Sequence, residues 1–324
     1  MRIIRYILLS IVVLSSVSCQ KVLDMLFLTD ITATVKLSLD DADVTKSVSK
    51  ADNVDRVYYE VWTEDFSERV YPLLESDINY VTVSNLKATL NISLRARQTY
   101  NFLFWAQNRN CNAYSWDDLR AVDIDYSKFT QNNKDVYDAF YGSSVITIDD
   151  KKDVAERFVT LYRPFAQLNF GASVMETVIS PFSVESHSMT ISNVATRFDI
   201  LSGNPDPGEN KEYVKTVTFS APQGGLVQEE SENDMDLNVN GTSYYWVSMN
   251  YILVPSETRT TVDVDAAFKT TQGDVNFSIA NVGLLRNHRT NVVGDIFTSD
   301  AQFLGKPQFE IIIMEGITDE YLPK

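Results

Sequence analysis

Histidine and cysteine are scarce, with two of each in 324 residues. Zinc sites draw on clustered imidazoles and thiolates, so a zinc centre is not expected. His187 and His288 lie far apart in sequence, and no G-x-S-x-G elbow supplies a nucleophile for either. His187 in "VESHSM" has serine neighbours, but adjacent residues on a strand point to opposite faces. Phosphate-cradling loops are missing too, since neither G-x-G-x-x-G nor G-K-[ST] occurs. Basic residues are outnumbered, 28 Lys and Arg against 44 Asp and Glu, for a net charge of −16. Nucleic-acid binding needs a basic stripe to displace counterions, and none exists here. The chain is therefore expected to be no enzyme, to need no cofactor and to bind no nucleic acid.

The one long apolar run is at the N-terminus. Arg2 and Arg5 flank and enter Ile3–Val13, and the small residues Ser15–Ser18 lead to Cys19. That order is the n-region, h-region and cleavage site of a secretory signal. Ile3–Val17 falls short of the roughly 20 apolar residues of a spanning helix. A cysteine directly after the small residues resembles a bacterial lipoprotein box, although Ser16 stands where leucine is preferred. Residues 1–18 are expected to be removed and Cys19 to carry lipid at the outer membrane. Cys111 is then left without a disulfide partner. In the polar stretch "NRNCNAYSW" nothing near it would lower its pKa, so it reads as a small buried residue.

The rest of the chain has a β signature. Val, Ile, Thr, Tyr and Phe dominate runs in which apolar residues recur at every second position. The first is Ile31–Leu39, with Ile31, Ala33, Val35, Leu37 and Leu39 apolar. Val57, Tyr59 and Val61 resume the pattern, and further runs cover 80–83, 90–94, 99–106, 145–148, 158–162 and 166–170. After Pro181 come 189–194, 214–219, 244–254, 261–268, 275–279 and 309–314. Helical patterning is confined to Asp117–Val122 and Lys134–Phe140. Short strands at this spacing predict an all-β chain of two antiparallel β-sandwich domains. A polar stretch, "DDKKDVAER", and then Pro164 set the boundary, giving domains at 24–160 and 161–324.

Asp40–Asp55 has no period, is mostly polar and carries Lys46 and Lys50. Connections in compact domains run roughly 4–6 residues, so a strand tied on by this segment is unusual: either it is an ordinary long surface loop, or the strand is meant to leave. Residues 19–55 thus read as a lipidated N-terminal segment with a first strand and a linker.

Binding motifs are few. "DMDLNVNG" mimics the start of a calcium loop through Asp236, Asn238, Asn240 and Gly241, but Val247 stands where a bidentate Glu belongs. Leu237 and Val239 alternate, so Asn240-Gly241 predicts a hairpin turn, and no metal site is expected. "PDPGEN" at Pro205–Asn210 and the adjacent Asp117 and Asp118 read as solvated turns. Trp62, Trp105 and Trp246 lie in patterned runs and are expected in the core. Trp116, with Tyr114 in "AYSWDD", is the loop aromatic on which a sugar ring could stack.

Three further stretches carry a resemblance. "LYRPFAQLNFGA" (161–172), "YYWVSMNYILVP" (244–255) and "LLRNHRTNVVGDIFTSDAQF" (284–303) occur in order, followed by a last strand at Phe309–Met314. By residue type, Pro164 sets a turn, Phe165, Leu168 and Phe170 supply core, and Arg286, Arg289 and Asn291 bond backbone at a strand entrance. In order and spacing these motifs resemble an uncharacterised branch of the fimbrillin-like lipoproteins of Bacteroides-type bacteria, which include major and minor fimbrial subunits. The resemblance implies transthyretin-like sandwiches and a lipid-anchored pilus subunit serving as stalk, tip or anchor at the cell surface. It further implies that a trypsin-like protease cuts the linker, that the first strand leaves, and that a neighbouring subunit adds a strand in its place. Phe309–Met314 would be the donated strand. The branch carries an arginine near Thr45, where this sequence has Lys46. The candidate processing residues are Lys46, Lys50 and Arg56, the last already inside a strand pattern. The rival expectation is a monomeric surface lipoprotein that binds a glycan or host ligand through Trp116.

Overall fold

The computed structural model describes residues 30–39, 53–72, 79–130, 135–149, 155–173, 176–177, 180–181, 184–221, 237–256, 258–271, 273–297 and 308–314. Cys19, Lys46 and Lys50 lie outside them. Among the described residues no helix is long and apolar enough to cross a membrane. β-branched and aromatic runs form strands almost throughout.

The first half contributes β1 (Asp30–Leu39), β2 (Arg56–Thr63), β3 (Arg69–Tyr71), β4 (Tyr80–Thr82) and β5 (Lys87–Arg95). It continues with β6 (Gln98–Gln107), β7 (Tyr114–Ser115), β8 (Ala121–Ile124), β9 (Ala139–Ile148) and β10 (Ala155–Leu161). The second half opens with β11 (Phe165–Ala172), β12 (Glu176–Thr177), β13 (Ser180–Pro181) and β14 (Val184–Ala195). Then come β15 (Arg197–Asp199), β16 (Asn204–Pro205), β17 (Val214–Ala221), β18 (Leu237–Val239) and β19 (Thr242–Leu253). β20 (Thr260–Thr270), β21 (Gly273–Leu284), β22 (Arg289–Asp295) and β23 (Gln308–Met314) complete the series.

Two hydrophobic cores organise the sheets. In the first, sheet β10-β1-β5 faces sheet β3-β2-β6-β9, to which β4 adds on β2. Ile31, Val35, Leu37, Leu90, Phe102, Phe104, Phe140 and Leu161 fill the space between. In the second, sheet β18-β19-β11-β22-β23 faces sheet β17-β14-β20-β21 over Leu168, Phe170, Met189, Phe219, Trp246 and Phe268. A small sheet, β16-β15-β8-β7, takes strands from both halves of the chain, and its Tyr114, Val122 and Phe198 join the second core. β6 reads "QTYNFLFWAQ" because both its faces are covered. Phe102 and Phe104 enter the first core while Leu103 and Trp105 enter the second.

Most sequence expectations hold at the level of elements. Trp62, Trp105 and Trp246 are buried. Asn240 and Gly241 have φ of 51° and 83° and turn β18 into β19, the left-handed pair that a two-residue hairpin requires. Pro205–Asn210 is a turn, with Asp206 Oδ1 accepting from the Gly208 amide.

Both helical expectations are corrected. In 117–122, Asp118 Oδ1 accepts from the Arg120 amide and ends the turn, and Ala121–Ile124 then pairs as β8 with β7 and β15. In 134–140 a 3-10 turn spans only Asp135–Tyr137 before Ala139 joins β6. Neither stretch is long enough for helical bonds to outweigh the sheet ladder.

The strand-entrance reading holds for Arg286, whose Nε and Nη2 donate to Val254 O and whose Nη1 donates to Gly203 O. It fails for Asn291. That residue lies inside β22 and accepts from Asn169 Nδ2 at 2.9 Å. Arg289 is fully buried, with its guanidinium 5.9 Å from the Trp246 ring centre.

Cys111 is buried, and desolvation pushes its thiol up to about 11. Iodoacetamide at pH 8 is therefore expected to leave Cys111 unmodified until the protein is unfolded in denaturant. Rapid alkylation of the folded protein, read by mass spectrometry of the Cys111 peptide, would contradict this burial.

Candidate functional site

β1 is the middle strand of its sheet. It runs parallel to β10, from Ala33↔Ala155 to Leu39↔Leu161, and antiparallel to β5, from Asp30↔Arg95 to Ser38↔Lys87. Its alternate residues Ile31, Ala33, Val35, Leu37 and Leu39 are all buried in the first core. The other face is held loosely. Thr34 Oγ1 donates to Asn91 Oδ1 at 2.8 Å, and Lys36 Nζ lies 2.9 Å from Glu156 and 5.3 Å from the Phe158 ring centre. Exposed ion pairs of this kind contribute roughly 0–1 kcal/mol. The strand is thus bound by its ladder and its apolar row. Without it, β10 and β5 would each lose a partner and the first core would lose one wall.

The last three residues of the Asp40–Asp55 stretch are already anchored to the fold, contrary to their reading as open linker. Asn108 Nδ2 donates to Asn53 O at 2.5 Å, Val54 is buried, and Asp55 accepts from the Arg109 amide at 2.8 Å and pairs with its guanidinium. Arg56, a candidate processing residue, opens β2. It is paired with Gln107 of β6 on one side and Thr82 of β4 on the other. Its guanidinium lies 4.3 Å from the Tyr80 ring centre. A protease that binds its substrate as an extended strand has no open edge to use there.

The two aromatics singled out in "AYSWDD" face different ways. Tyr114 is buried, donates its hydroxyl to Tyr137 O, and lies edge-on to Trp105 and stacked with Phe165 at 6.0 Å. Its ring serves the core. Trp116 is half-buried and meets Tyr58 edge-on at 5.3 Å, and Tyr58 in turn lies 5.8 Å from Tyr80. Trp116 and Tyr58 line a cleft of about 430 Å³ that also takes in Glu60, Arg69, Pro72, Asn79 and the edge of Tyr114. Glu60 Oε2 accepts from Trp62 Nε1 at 2.9 Å and the Leu119 amide at 3.0 Å, while Oε1 accepts from Arg69 at 3.2 Å. Burial nonetheless holds the Glu60 carboxyl above the usual carboxylate range. Glu60 was not legible as a site residue, because it occupies a position in β2 where alternation predicts an outward side chain. Among the described residues no cluster of His, Cys, Asp and Glu could hold a metal ion.

A family profile matches residues 27–321, nearly the whole chain. The chain belongs to a family of unknown function, DUF6562. No curated protein matches this family member in sequence. Solved structures do match in fold. A candidate adhesin from Bacteroides thetaiotaomicron is 12% identical with a TM-score of 0.51, over 89% of this chain and 97% of that one. A candidate cell adhesion protein from Bacteroides ovatus is 8% identical with a TM-score of 0.49, over 90% and 99%. The fimbrial anchor protein Mfa2 from Porphyromonas gingivalis is 11% identical with a TM-score of 0.42, over 81% and 90%. At these identities the likeness is one of fold, carried by the first of the three, and it agrees with the all-β sandwich architecture expected from the sequence.

Proposed function

We propose that this protein is a structural subunit of an adhesive surface fibre. It is held to the outer membrane by lipid on Cys19, and residues 24–160 and 161–324 act as its two sandwich units. Its first strand leaves once the linker is cut, and a strand from another subunit takes the vacated place.

The observation that carries this reading is the position of β1. An N-terminal strand in the middle of a sheet, joined to the rest by a polar linker, can depart without threading any other segment. Its departure exposes unpaired N–H and C=O groups on β10 and β5 beside pockets for alternate apolar side chains. Lys46 and Lys50 are the processing residues that fit, because Arg56 is paired on both edges. β23 suits the donor role. It is the last strand of its sheet, is bonded to β22, and carries Ile311 at 40% exposure.

Mass spectrometry of N-termini from the cell envelope and from sheared surface material tests the proposal. A terminus just after Lys46 or Lys50, enriched in the sheared fraction, is the expected result. A lipidated Cys19 on every molecule in both fractions would overturn strand departure.

A further inference from the structure

The cleft edged by Trp116 plays no part in strand exchange, and its chemistry points to a ligand. Trp116 and Tyr58 line the cleft and meet edge-on, with ring centres 5.3 Å apart and planes at 64°. Beyond them Tyr80, 46% exposed, tilts against Tyr58 at 5.8 Å. The rings come from the loop after β7, β2 and β4, so strand pairing fixes most of this arrangement.

Behind it, Glu60 and Arg69 form an ion pair with side chains only 5% and 16% exposed. Glu60 Oε2 is filled by Trp62 and Leu119, whereas Oε1 meets Arg69 alone and keeps acceptor capacity toward the cleft. A carboxylate and a guanidinium locked side by side offer an acceptor next to donors. Adjacent hydroxyls, each a donor and an acceptor, match that arrangement. Asn79 lines the same cleft and adds an amide that both donates and accepts.

Flat aromatic faces suit the C–H face of a pyranose, and fixed planar polar groups suit its hydroxyls. The paired charges cancel, and the chain is strongly acidic, so sialylated or sulfated sugars are disfavoured. At about 430 Å³ the cleft lies at the small end of the roughly 300–1,000 Å³ range of ligand sites. A large apolar ligand would strip the remaining water from the Glu60–Arg69 pair without replacing its hydrogen bonds.

We propose that this cleft binds one or two rings of a neutral saccharide, one ring stacked on the Trp116 face with Tyr58 at its side, hydrogen-bonded by Glu60, Arg69 and Asn79. Binding does not depend on β1 leaving.

The test is a glycan array of neutral, sialylated and sulfated oligosaccharides probed with the intact protein. Calorimetric titration with maltotriose, mannotriose, chitotriose and sialyllactose follows. Binding to neutral glycans on the array and to at least one neutral trisaccharide in solution is expected. Trp116→Ala should weaken it by about tenfold or more. Asn79→Ala, at a half-buried polar residue whose backbone bond to the Tyr59 amide the change keeps, should weaken it with an unchanged Tm, which guards against a Trp116 variant that misfolds. Three results would overturn the proposal. These are no binding to any neutral glycan, a preference for the acidic ones, or undiminished affinity in a folded Asn79→Ala and Trp116→Ala pair.

Discussion

Deleting residues 19–39 is expected to leave a first sandwich that no longer folds by itself, and a synthetic peptide of residues 30–39 is expected to restore it. The size of the effect follows from what β1 buries. Ile31, Val35, Leu37 and Leu39 are between 0% and 9% exposed. Each such side chain contributes about 1.5–3 kcal/mol on burial, so the four together contribute roughly 6–12 kcal/mol. Whole domains are stable by only about 5–15 kcal/mol. The backbone ladder to β10 and β5 is lost as well, and it leaves unpaired groups next to an apolar slot. Thermal unfolding followed by near-ultraviolet circular dichroism reads the loss, and the Tm should recover with added peptide by mass action. A peptide carrying Val35→Asp should fail to restore it, because the charge would enter a site with 0% exposure. An unchanged Tm in the deleted chain would mean that β1 is dispensable and would remove the basis for strand exchange.

Replacing one member of the Asp138–Arg163 pair should cost about 3–5 kcal/mol. The two side chains are each 1% exposed, and the guanidinium meets the carboxylate through two bonds of 2.7 Å. Arg163 also donates Nη1 to Asn287 Oδ1 and lies 4.6 Å from the Phe140 ring centre. The cluster thus ties the approach to β9, the β10–β11 connection and the turn before β22 at one point. Arg163→Met leaves a buried carboxylate without its cation, and Asp138→Leu leaves the reverse. Chemical denaturation should show both as lowered midpoints. The double variant should recover most of the loss, since no charge is then stranded. Single variants that each cost less than ~1 kcal/mol would match an exposed pair and contradict this burial.

The same contrast between apolar and polar burial explains what the sequence could reveal. Ile31–Leu39 was legible because one face is apolar and the other wet, giving a clean period of two. The unbroken run of β6 was legible because cores cover both its faces. β22 was not recognised as a strand, since Arg289, Thr290 and Asn291 are buried polar residues and erase the alternation. Their partners, such as Asn169 on β11, lie far away in sequence. The cleft was legible only in part. Trp116 stood out as a loop aromatic, but Tyr58, Tyr80 and Glu60 become its neighbours only through the pairing of β2 with β4 and the contact of Glu60 with Leu119. Tyr114 lies only two residues before it, yet its ring turns inward to bond Tyr137.

The measurement that bears most directly on strand departure uses the purified chain, a lysine-specific protease and an arginine-specific one. Products are sized by gel filtration and mapped by mass spectrometry. Cleavage after Lys46 or Lys50 with the backbone at Arg56 intact is the expected outcome. It should be followed by release of the β1 fragment and growth of the cut chain into a ladder of oligomers. A cut chain that retains the fragment and stays monomeric would contradict strand exchange.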